Sequence, residues 1–150
     1  RVTQLKFGAS VFRSEDRRIP GPGSDIALRI YTPREPGPAE KLPVLIWFHG
    51  GGFVIGSLET HDSACRMLAN QADCIVVSVD YRLAPESKFP AAVEACMAAP
   101  KWVARRAVES GGDSTCMAVA GDRSGGHLPP VLPILSIESA PRTLPFQLSV

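Results

Sequence analysis

The stretch that most constrains this chain runs from Ala118 to His127, AVAGDRSGGH. An apolar run, Met117 to Ala120, stops at Gly121, and Gly125 and Gly126 follow before a second apolar stretch. That order predicts a strand, a very tight turn and a helix. In a G-x-S-x-G elbow the central residue is forced into a strained conformation at the apex, while the flanking glycines let strand and helix approach. Here Gly121 and Gly125 bracket Arg123, and the serine stands one place later, at Ser124. The frame of the turn is present, with an arginine at its centre.

The segments before this turn alternate in type. Phe12 to Ile19 and Asp25 to Tyr31 read as short extended pieces, separated by the turn signal Pro20-Gly21-Pro22-Gly23. Arg34 to Lys41, rich in proline, glycine and charge, reads as a surface loop. Pro43 to Phe48 (PVLIWF) and Cys74 to Val79 (CIVVSV) are apolar without alternation, the pattern of strands covered on both faces in a mainly parallel sheet. Asp62 to Gln71 has helical spacing with Asp62 as candidate N-cap. Pro90 to Val108 reads as a long helix in which Pro100 is out of place, and Pro145 to Val150 as a last extended piece. Strands alternating with helices predict an α/β architecture.

At 150 residues, 45% hydrophobic and 21% charged, the composition is that of an ordinary globular domain or part of one. Sixteen Lys and Arg against 15 Asp and Glu leave a net charge of +1, and no long run of like charge occurs. Nucleic acid and anionic membrane are therefore not expected as partners. Cys65, Cys74, Cys96 and Cys116 form no C-x-x-C pair and no His/Cys cluster, so buried free thiols are expected and no metal site. No apolar run reaches the length of a membrane span, and the start lacks an apolar signal core, from which a cytoplasmic location is expected.

His49-Gly50-Gly51-Gly52 directly follows the PVLIWF run. Three successive glycines weaken a strand, and they free backbone N–H groups to point into an open site, as an oxyanion hole requires. A glycine-rich turn without a ligand is the competing reading. A phosphate loop is not, because neither G-x-x-x-x-G-K-[ST] nor G-x-G-x-x-G is present.

LPVLIWFHGGGFVIG, VVSVDYRLAPESKFPAAVEA and VAGDRSGG, in this order and spacing, resemble the bacterial hormone-sensitive-lipase-like esterases, whose elbow reads G-D-S-A-G-G. The match extends from about Ile19 to the end of the chain. The resemblance implies the N-terminal portion of a single α/β-hydrolase domain over residues 1–150: a mainly parallel sheet with flanking helices, truncated after the strand that follows the elbow helix. It implies hydrolysis of a small-molecule carboxylic ester without metal or organic cofactor. Gly51 and Gly52, with the N–H of Ser124, become the oxyanion donors, and His49, Gly50 and Asp122 support the motif. Asp80 and Glu86 become structural polar residues. A homo-oligomer is compatible with this reading.

The departures from the pattern fall at the centre of the site. The family's nucleophile falls on Arg123, which has no acyl-transfer chemistry and is always protonated. A one-residue displacement is about 100° of helical rotation, so the Ser124 hydroxyl is expected to face away from the place of attack. Ser124 as nucleophile competes with a plain first-turn or N-cap role. His127, three places later, is expected in packing or polar contacts, and His61 in a loop or cap. In the family the acid and base follow the nucleophile in chain order; they are expected after Val150. Pro129, Pro130 and Pro133 fall where the elbow helix should run. A partial product of an esterase lineage with a disrupted elbow accounts for these features together. A member that binds without turnover is the alternative, since plant gibberellin receptors resemble the same family while lacking a complete triad.

Overall fold

The structure is a computed structural model and describes residues 8–128 and 146–149. Six strands form one sheet among these residues: β1 (Arg13–Ile19), β2 (Ile26–Thr32), β3 (Leu42–Phe48), β4 (Ile75–Asp80), β5 (Gly112–Gly121) and β6 (Phe146–Ser149). Their order across the sheet is β1-β2-β4-β3-β5-β6. β1 and β2 are antiparallel to their neighbours, and β4, β3, β5 and β6 run parallel. The expected mainly parallel sheet is present.

The apolar runs lie where their patterns place them. Every residue from Cys74 to Val79 is buried, and in β3 only Pro43 is exposed and only Leu45 partly so. The two helices cover opposite faces. Helix α1 (Asp62–Ala72) brings Cys65 and Ala69 against Tyr31, Trp47 and Val76. Helix α2 (Ala91–Arg106) brings Ala95, Cys96, Ala99 and Val103 against Ile46, Val77 and Val79. Val76 and Val77 face opposite ways because strand side chains alternate, so the covered strands carry no polar face.

Chain order then locates a crevice. The chain leaves β3 through α1 to β4 on one side, and after β5 it moves to β6 on the other. β3 and β5 are therefore the neighbours at which the winding reverses, and ligands of such sheets bind beyond the carboxyl ends of that strand pair. The register pairs Phe48 with Gly121, so the segments that begin at His49 and Asp122 emerge side by side.

Several expectations need correction. Asp62 is not the N-cap of α1: His61 occupies that position without a capping side chain, and Asp62 lies in the first turn. Its carboxylate accepts instead from Arg29 (3.2 Å) and Tyr31 (2.9 Å) of β2 and from Arg66 (2.7 Å). The long helix ends at Arg106 and continues as a 3-10 turn, Ala107–Ser110. Pro100 lies buried within α2, although an interior proline costs a helix about 3 kcal/mol. β5 is longer than Met117 to Ala120, because its polar first half reaches Gly112 through an irregularity opposite Pro43. Cys116 stands in that irregularity and is exposed, against the expectation of burial, whereas Cys65, Cys74 and Cys96 are buried. All four thiols are free. Pro129, Pro130 and Pro133 lie outside the described residues. Among the described residues, no helix is long and apolar enough to cross a membrane.

Candidate active site

The segment after β3 is anchored by a buried ring. His49 is wholly buried, stacked on Tyr81 at 4.4 Å between ring centroids. The Tyr81 hydroxyl donates to the His49 carbonyl at 2.6 Å. Nδ1 of His49 lies 2.7 Å from the Gly50 carbonyl, which can only accept, so that nitrogen carries the proton. Burial holds the imidazole below its ordinary range, and the ring stays neutral. His49 is thus fixed between Tyr81 and the Gly50 carbonyl.

The three glycines are used differently. Gly50 N–H donates to Asp122 Oδ1 at 2.8 Å, and a side chain at Gly50 would strike that carboxylate. Gly51 has φ +127° and Gly52 φ +65°. A side chain at Gly51 would run into the Ile55 carbonyl, which the turn brings close by donating Val54 N–H and Ile55 N–H to the Gly51 carbonyl at 3.2 and 3.0 Å. Gly52 faces open space.

The segment after β5 makes the elbow. Arg123 has φ +49°, the left-handed conformation that an apex demands and that a non-glycine residue adopts rarely. Ser124 returns to right-handed values, and a 3-10 turn, Gly125–His127, follows. A Cβ at Gly121 would lie 2.5 Å from the Phe48 carbonyl oxygen, and one at Gly125 would collide with the same oxygen. Only glycine permits this approach to β3. The tight turn read from the sequence is present, with Arg123 at its apex.

The two segments meet through Ser124 as well as Asp122. Gly52 N–H donates to Ser124 Oγ at 2.8 Å. The sequence led us to expect this hydroxyl turned away, and the structure sets it on the glycine loop. The left-handed step at Arg123 reverses the chain, which helical rotation alone does not anticipate. Burial pushes the Tyr81 phenol above its ordinary range, and a hydrogen bond with Ser124 opposes that rise.

The remaining candidates lie apart. Arg123 is exposed, and its guanidinium has no hydrogen bond or ion pair among the described residues. His127 is exposed and meets Ser124 only through the backbone, its N–H donating to the Ser124 carbonyl at 3.2 Å. Asp80 is half-buried, and burial raises its carboxyl above the usual range, while Glu86 is exposed. Sequence reasoning missed the platform made by Tyr81, and also the approach of His61 Nε2 to Asp122 Oδ1 at 3.6 Å. Both depend on contacts between segments far apart in the chain. Among the described residues, no group of three His, Cys, Asp or Glu side chains is placed to hold a metal ion.

A glycine loop and a left-handed elbow at the carboxyl ends of the two switch-point strands are the layout expected of one family, and the model of the α/β-hydrolase fold matches residues 45–148. The chain belongs to the α/β-hydrolase family. Its relatives place it in the hormone-sensitive-lipase-like, fold-3 branch. Esterase LipI of Mycobacterium tuberculosis is 50% identical over 120 residues, covering 80% of this chain and 38% of LipI. Carboxylesterase NlhH of the same organism is 43% identical over 152 residues, covering 99% of this chain and 47% of NlhH. Among solved structures, an esterase from Pyrobaculum calidifontis superposes with a TM-score of 0.86 at 49% identity, covering 92% of this chain and 44% of that one. The chain thus spans less than half the length of these relatives.

Proposed function

We propose that the glycine loop and elbow form a carboxylic-ester site whose nucleophile position holds Arg123, so that the chain as it stands does not turn esters over. The single observation that carries this reading is Arg123 at φ +49°, clamped between Gly121 and Gly125. In the reaction of the family, a serine oxygen attacks the ester carbonyl carbon while its proton passes to a base. The carbonyl oxygen takes the negative charge, N–H donors bind it, and the alcohol then leaves with a proton. Gly51, Gly52 and Ser124 are the N–H donors in this reading. A guanidinium cannot make the attack.

Ser124 is a poor substitute. Its oxygen accepts the Gly52 N–H that the developing oxyanion needs, and loss of one such donor costs about 100-fold or more in rate. No His ring is hydrogen-bonded to its hydroxyl among the described residues, and serine without a base is a weak nucleophile. The test is hydrolysis of p-nitrophenyl acetate and butyrate by the purified chain, by Ser124→Ala and by Arg123→Ser. We expect no turnover in any of the three. Turnover by the chain itself that Ser124→Ala abolishes refutes the reading, and turnover confined to Arg123→Ser assigns the loss to the apex alone.

A second reading, binding without turnover, is favoured by the exposed Arg123 guanidinium, which has no hydrogen bond or ion pair among the described residues. Arginine holds carboxylates through paired N–H donors. Calorimetric titration with butyrate, which Arg123→Gln should weaken, tests it.

A further inference from the structure

We infer that His61 is a positioning residue for the glycine loop, acting through Asp122, and that its protonation sets how firmly Asp122 holds Gly50. The link to ester chemistry rests on the reading of Gly51 and Gly52 as oxyanion donors; the coupling itself does not.

The tautomer of His61 follows from Thr60. Its single hydroxyl proton is directed at the Ser57 carbonyl, 3.0 Å away, an oxygen that can only accept. Thr60 Oγ1 accepts in turn from Ser57 N–H at 2.9 Å. It also lies 2.9 Å from His61 Nδ1, so with its proton committed it must accept there too, and Nδ1 is the protonated nitrogen of the neutral ring. The other nitrogen, Nε2, then presents a lone pair to Asp122 Oδ1 at 3.6 Å. Two lone pairs face each other while the ring is neutral. Once Nε2 takes a proton, the same contact becomes an ion pair.

The oxygen concerned is the one that holds the loop, since Asp122 Oδ1 accepts Gly50 N–H at 2.8 Å. His61 also stacks on His49 at 5.4 Å between centroids, so it touches the loop's two fastenings. The charged and titratable groups around it are His49 after β3, Asp122 after β5 and, beyond His49, Asp80 of β4. In its own segment, Glu59 and Asp62 are both bonded by Arg29.

Nuclear magnetic resonance on the whole chain decides the matter. The Gly50 amide shift is followed from pH 8 to pH 5 beside the ring proton signals of His61 and His49, the His61 signals being assigned by their loss in His61→Phe. We expect the Gly50 amide to move in one step with the midpoint of His61, and that step to vanish in His61→Phe, which keeps a stacking ring without a titrating nitrogen. His61→Gln, able to donate to Asp122 at every pH, should hold the amide near its low-pH position throughout. A Gly50 amide that stays flat across the His61 midpoint, or a step that persists in His61→Phe, overturns the inference. If His61→Phe does not fold, the native titration and the glutamine variant decide between these outcomes. Ester turnover enters none of these readouts.

Discussion

Arg123 holds a backbone conformation that suits glycine, and for an L side chain this costs about 1–2 kcal/mol. Its side chain recovers none of that through a hydrogen bond or ion pair among the described residues. Arg123→Gly is therefore expected to stabilise the chain by about 1 kcal/mol, read as a higher urea midpoint with an unchanged slope. Much at this scale was legible in the sequence: Gly121, Gly125 and the displaced serine announce the turn and its apex. The direction of the Ser124 hydroxyl was not, because it depends on where a loop some seventy residues earlier places the Gly52 amide.

Among the elements, the elbow packs against the end of β3 with no space to spare. Gly125 leaves no room for a methyl group beside the Phe48 and His49 carbonyls, and backbone atoms of a central strand cannot yield. Gly125→Ala should destabilise by about 3 kcal/mol, the upper range for overpacking, measured as a fall in the urea midpoint. The strands and helices themselves were readable because unbroken apolar runs and helical spacing are local signals. The first half of β5 was not: Gly112 to Cys116 is polar, and only the pairing of Leu42 with Gly112 draws it into the sheet. The start of α1 was misread for a related reason. Asp62 has the chemistry of a cap, but Arg29 and Tyr31 from β2 and Arg66 one turn later compete for it and win.

That competition fastens the molecule as a whole, since Asp62 ties α1 to β2. Burial, the largest single influence on its carboxyl, pushes it upward; hydrogen bonds from Arg66, Tyr31 and Arg29 together hold it below its ordinary value of 3.8. A depressed carboxylate contributes stability that is present above that value and lost as the pH falls through the folded one. Asp62→Asn should cost about 2 kcal/mol at neutral pH, the scale of a charged hydrogen-bond set. It should also flatten the acid limb of the stability curve below pH 4, measured by urea unfolding across pH. The exposed position of Cys116 has a different use. With three thiols closed off in the core and one at the surface, a thiol-reactive dye should count one equivalent on the native chain and four in denaturant. Partial opening gives a number between, so the protein carries an internal gauge of how much of its core is open at any moment.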